Sequence, residues 1–157
     1  MVGLAELVVS NNPGAILTTY SLGSCIGVMI YDPVVRVGGL LHAMLPDSTI
    51  DPTKAQSQPG MFVDTGLRAL LQAAGQLRAD KRRLRIHVAG GARILDDQKF
   101  FNIGARNLTA FSDFLRREEL RVVGEQVGGE GHRTVGLAIE TGQISLKAAG
   151  NAAEVFL

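Results

Sequence analysis

Apolar positions along this 157-residue chain come first in short, β-branched runs: Leu4 to Val9, Ala15 to Tyr20, Cys25 to Tyr31 and Val37 to Leu45. Asn11-Asn12-Pro13-Gly14, the Ser21 to Ser24 stretch and Asp32-Pro33 punctuate them with turn chemistry, so four strands are predicted. The period then changes. Val63, Leu67, Leu70, Leu71, Ala74 and Leu77 recur at helical spacing and predict a helix over Met61 to Leu77. Ala105, Leu108, Phe111, Phe114 and Leu115 predict a second, from Ile103 to about Glu118. Between the two, Leu84 to Ala89 reads as a strand ending at Gly90-Gly91. Four more strands follow, at Arg121 to Val127, Arg133 to Glu140, Gln143 to Ala148 and Glu154 to Leu157. Thr141-Gly142 suits a tight turn between the middle pair. The polar stretch PDSTIDPTKAQSQPG, Pro46 to Gly60, reads as a mobile loop and a candidate lid.

No internal repeat or break in composition divides this order, so the expected fold is a single α/β domain over residues 1 to 157. It is a layered sandwich of largely antiparallel or mixed β-sheet with two main α-helices. Apolar residues make up 46% and charged residues 20% of the chain, with a formal net charge of +1, which argues against disorder and against a basic nucleic-acid surface. One cysteine forms no internal disulfide. The N-terminal stretch has no basic region leading into an apolar one, and no apolar run approaches the roughly 20 residues of a membrane span. A soluble, cytoplasmic protein without membrane insertion is expected.

That single cysteine carries the candidate chemistry. Asp32-Pro33-Val34-Val35 has a type I turn signature. If it centres a hairpin, paired residue numbers sum to 67, and Cys25 pairs with His42. Opposed side chains share a face, with Cβ atoms about 4.5–5.5 Å apart. A thiol attacks as thiolate, and an adjacent imidazole takes its proton and returns one to the leaving group. Gly23 and Ser24 allow close approach of a substrate, and their amides or that of Cys25 are candidate oxyanion donors. The competing reading is packing: free cysteine is among the most buried residue types, and His42 lies among Leu40, Leu41, Ala43 and Met44. A histidine base needs an orienting group. An even register through Ser21 to Ser24 places Thr18 and Tyr20 on the face of Cys25, and an odd or bulged one places Thr19 there.

Several motifs, in order, resemble the CheD family of chemoreceptor glutamine deamidases: LGSC (22–25), VGGLLHAMLPDS (37–48), AGGA (89–92), NIGARN (102–107) and IETG (139–142). The resemblance runs over essentially the whole chain. It implies a cysteine hydrolase that converts receptor glutamines to glutamates and releases ammonia through a thioester. It assigns the nucleophile to Cys25, the histidine to His42 and the third catalytic residue to Thr19. It implies no metal or organic cofactor, methyl-accepting chemotaxis receptors as substrates, and a CheC-type phosphatase as a further partner. A non-catalytic adaptor on the same fold is the alternative, and a broader cysteine amidase or glutamyl methyl esterase is a third reading.

Other signals count for less. Gly38-Gly39, Gly90-Gly91 and Gly128-Gly129 lack the residues of a phosphate-binding loop. His87 and His132 have no partners at metal-ligand spacing. Lys81, Arg82, Arg83 and Arg85 read as a solvated strand start. Phe100-Phe101 has no counterpart in the family motifs and reads as packing.

Overall fold

A computed structural model describes residues 1–93, 102–150 and 154–157 of the chain. Among the described residues, nine strands form two sheets. The first holds β1 (Leu7–Ser10), β4 (Val37–Ala43), β3 (Ile26–Asp32), β5 (Arg85–Gly90) and β6 (Val122–Val127), in that spatial order. The second holds β2 (Ile16–Leu22), β7 (Arg133–Ala138), β8 (Ile144–Ala148) and β9 (Val155–Phe156). All neighbours are antiparallel except β5 and β6. That parallel pair needs a crossover, supplied by helix α3 (Ile103–Arg117). The layered α/β expectation therefore holds, as do all nine strands and both long helices.

Strands β3 and β4 are buried along their whole length, because each face of their sheet is covered. On one face Ile26, Val28, Ile30, Leu41 and Ala43 pack with Val63, Leu67 and Leu70 of α2 (Val63–Gln76) and with Phe111 and Phe114 of α3. On the other, Met29, Tyr31 and Leu40 meet Leu17, Leu22, Val135, Leu137 and Ile144 of the second sheet. The order of layers is helices, first sheet, second sheet.

Three sequence readings change. The β3–β4 ladder pairs Asp32 with Val37 and Gly27 with His42, so partners sum to 69 and not 67. The turn is longer because Asp32 accepts from the Val34 N–H at 2.9 Å while Arg36 takes φ 53°, leaving Pro33–Arg36 as a four-residue connection. The β7–β8 hairpin is likewise no tight turn: its last ladder pair is Leu137 with Ile144, and Ala138 and Gln143 face each other across Ile139 to Gly142. The 46–60 stretch is not irregular. It contains 3₁₀ turns at Ser48–Ile50 and Pro59–Met61 and a short helix α1 (Pro52–Ser57), capped by the Asp47 and Asp51 side chains. Ser48 is tied to Asp64 of α2 through its hydroxyl (2.6 Å) and its N–H (3.0 Å). The Phe100-Phe101 pair lies outside the described residues.

Three of the four residues of the basic run are paired. Lys81 reaches Glu118 at 2.9 Å, Arg82 reaches Asp80 at 3.0 Å, and Arg83 reaches the fully buried Asp32 at 2.9 Å. Burial alone would raise the Asp32 carboxyl. The Arg83 guanidinium and the N–H groups of Asp80 and Val34 outweigh it and hold the group below the usual carboxylate range. Replacing Asp32 by alanine strands both N–H groups, and urea unfolding is expected to show a loss of about 3 kcal/mol. A loss under about 1 kcal/mol would mean that water satisfies those donors.

Candidate active site

Residues from both sheets meet here. In β2, alternation buries Leu17 and Thr19 against the first sheet and leaves Tyr20 outside. A register shift then falls between Thr19 and Leu22, with Ser21 at φ 58°, so that Leu22 also turns inward. The bulged alternative is thus the one adopted, although β2 is no hairpin partner of β3: it belongs to the opposite sheet.

Thr19 is fully buried, and its Oγ1 lies 2.7 Å from the Val2 carbonyl oxygen and 2.7 Å from Nδ1 of His42. A hydroxyl has one proton and a carbonyl has none to give. Thr19 therefore donates to Val2 and accepts from an Nδ1–H, which places the proton of the neutral imidazole on Nδ1. Nε2 is left with a lone pair. It is buried and has no hydrogen-bond partner among the described residues. Burial holds the His42 pKa below its ordinary value, so the ring is neutral at pH 7. The backbone fixes the ring's base as well: His42 N–H donates to the Glu6 carbonyl (3.0 Å), and the His42 carbonyl accepts from Ala5 N–H (2.9 Å).

Cys25 immediately precedes the first ladder pair of β3 and packs against the inter-sheet core. With Gly27 directly opposite His42, Cys25 is the diagonal neighbour of the histidine on the same face. The predicted direct pairing is corrected, while the shared face survives, because a slip of two residues preserves side-chain parity. Backbone contacts fix the approach to the thiol. Gly23 carbonyl accepts from Ala92 N–H (2.8 Å), Cys25 carbonyl from Gly91 N–H (2.9 Å), and Ser24 carbonyl from Asn107 Nδ2 (3.0 Å). Gly90 must be glycine: φ is 101°, and a Cβ there would stand 2.3 Å from the Cys25 carbonyl oxygen.

Thr19 and His42, both singled out in the sequence, are therefore in direct contact, and Cys25, the third, packs against the same inter-sheet core two residues before the ladder partner of His42. The arrangement offers a thiol, a neutral imidazole with a basic Nε2, and a hydroxyl that sets the tautomer, a set suited to acyl transfer. Sequence reasoning missed the Val2 carbonyl and Asn107. The first leaves no sequence signal. The second does, since Asn107 is a polar residue on the buried stripe Ile103, Asn107, Phe111 of α3. His87 lies mid-strand opposite Met29, and among the described residues no group of three or more His, Cys, Asp or Glu is placed to hold a metal ion. Nor is any described helix long and apolar enough to cross a membrane.

Removing the Thr19 hydroxyl tests the tautomer argument. Thr19→Val is expected to lower turnover about 10–100-fold, whereas Thr19→Ser, which keeps the acceptor, retains most of it. Equal rates in the two variants, measured at saturating substrate, would remove Thr19 from the site.

A family model described as CheD chemotactic sensory transduction matches residues 44–148. The match begins past His42, so Thr19, Cys25 and His42 lie outside it. Full-length similarity covers them. The chain is 49% identical over 150 residues to the probable chemoreceptor glutamine deamidase CheD 1 of Syntrophus aciditrophicus, covering 96% of this chain and 94% of that protein. It is 45% identical to the probable chemoreceptor glutamine deamidase CheD of Solibacter usitatus, covering 99% and 92%. A protein of the same description in Pyrococcus horikoshii is 38% identical, covering 93% and 90%.

Proposed function

The chain belongs to the CheD family, and from that premise we propose that it is a chemoreceptor glutamine deamidase acting through Cys25, His42 and Thr19. The observation that carries the reading is the chain Val2 carbonyl, Thr19 hydroxyl, His42 Nδ1, which leaves a buried, basic Nε2 on the face that carries Cys25.

Nε2 of His42 takes the thiol proton as Sγ of Cys25 attacks the carboxamide carbon of a receptor glutamine. The amides of Ser24 and Cys25 face the oxyanion that forms. The imidazolium, its Nδ1–H held by Thr19, returns the proton to the departing nitrogen. Ammonia leaves and a glutamyl thioester remains. Nε2 then takes a proton from water, the hydroxide adds to the thioester, and its collapse yields glutamate and the thiol. Proton and charge balance within the pair, with Thr19 spared any proton transfer. The protein would work in the cytoplasm, where the receptors carry their modified helices, and a CheC-type phosphatase is a partner to seek by co-purification.

The test is mass spectrometry of receptor cytoplasmic fragments incubated with the purified chain. Glutamine-to-glutamate conversion at defined positions, with ammonia released in equal amount, is expected. Fragments that bind yet stay unconverted would make the chain an adaptor and overturn the reading.

A further inference from the structure

Asn107 is fully buried in α3, one turn after Ile103 and one before Phe111. A leucine would serve packing there better. The asparagine instead directs its Nδ2 to two backbone carbonyls, Ser24 at 3.0 Å and Met44 at 3.1 Å. Its own Oδ1 is buried with no partner among the described residues. Two acceptors dictate that the amide nitrogen faces them, so the oxygen's lack of a partner follows from what the nitrogen holds. Those carbonyls are not arbitrary. Ser24 immediately precedes the nucleophile, and Met44 lies two residues past the base.

In a planar trans peptide, C=O and N–H of one unit point in opposite directions. The Ser24 carbonyl faces Asn107, so the N–H of Cys25, in the same unit, faces away from α3. The Gly23 carbonyl faces Ala92, which turns the Ser24 N–H away from the end of β5 in the same manner. One of these two anchors is backbone. The other is a single side chain.

We propose that Asn107 is a positioning residue for deamidation: by holding the Ser24 carbonyl it fixes the Ser24–Cys25 peptide so that the Cys25 N–H meets the oxyanion. The inference rests on the deamidase reading and adds to it the residue that aims a donor. Asn107 acts through the Ser24–Cys25 peptide that it holds. Its effect falls on the transition state, where the oxyanion exists, and leaves substrate binding and thiol ionisation alone.

Asn107→Asp keeps the shape and turns an acceptor toward both carbonyls. Its kcat on receptor fragments is expected to fall about 100-fold, with KM within about threefold and the iodoacetamide rate of Cys25 close to wild type. Asn107→Leu, which keeps the branched outline without charge or hydrogen bonds, replaces it if circular dichroism shows the aspartate variant unfolded. A folded variant with wild-type kcat overturns the proposal. So does a kcat that falls in step with alkylation, which would place Asn107 on the thiol. Failure of both variants to fold makes the residue structural and overturns it too. If the wild-type chain itself converts no glutamine, the deamidase reading fails first, an outcome distinct from all of these.

Discussion

Cys25→Ala is expected to lower glutamine conversion by about 10⁴-fold or more, the scale of losing a nucleophile on which a two-step mechanism depends. Nothing else in the site substitutes for it: Thr19 is committed to Val2 and His42 through both its donor and acceptor sides, and Cys25 is the chain's single thiol. The fold should survive. Cys25 is half-buried and precedes the first paired residue of β3, and its carbonyl bond to Gly91 is backbone. Alanine therefore keeps that backbone bond. The measurement is conversion by mass spectrometry beside thermal unfolding. Retained conversion in a folded Cys25→Ala chain would remove the cysteine from the chemistry.

His42→Gln carries the second-largest effect. Loss of the base is expected to reduce kcat about 10²–10⁴-fold and to slow alkylation of Cys25 by iodoacetamide at pH 7, because the thiol loses its proton acceptor. Unchanged alkylation would dissolve the pair. The same residue governs pH behaviour. Its folded pKa is depressed by burial, so the acid limb of the kcat/KM profile should fall below the ordinary imidazole value of about 6.5. For stability, a depressed pKa means the unfolded chain binds the proton more readily. Stability is then complete above about pH 6.5 and declines as pH falls from there toward the folded value. His42→Gln should lose part of that decline. His87 retains another part, since burial and then Arg85 depress its pKa too. A steeper decline in the variant would contradict the assignment.

Strands and long helices were legible because apolar periodicity reports which face is buried, and tertiary packing seldom overrides a long periodic segment. Register was harder. Asp32-Pro33 marks where the β3–β4 connection begins, but its end depends on Arg36 in the left-handed region, a position usually given to glycine or asparagine. Sheet membership was also hidden. Alternation in β2 says that Thr19 points inward, yet not that its strand joins β7 rather than β3. The short helix α1 escaped notice because it buries only Ala55, although Asp51-Pro52 is an N-cap signature. Cys25 and His42 could be placed on one face from local parity. Their hydrogen-bond partners could not, since Val2, Thr19 and His42 come from three segments joined by folding.

The hydrogen bond between Thr19 and His42 ties the second sheet to the first. A hydrolytic thiol is hazardous in a crowded cell when its base works unsupervised. On the proposed reading, His42 meets the hydroxyl that sets its tautomer only where β2 lies over β4. A chain still folding, nicked by a protease or missing its last hairpin holds cysteine and histidine on one strand pair but lacks the hydroxyl that sets the tautomer. On the proposed reading, the architecture itself confines the chemistry to molecules in which both sheets are in place.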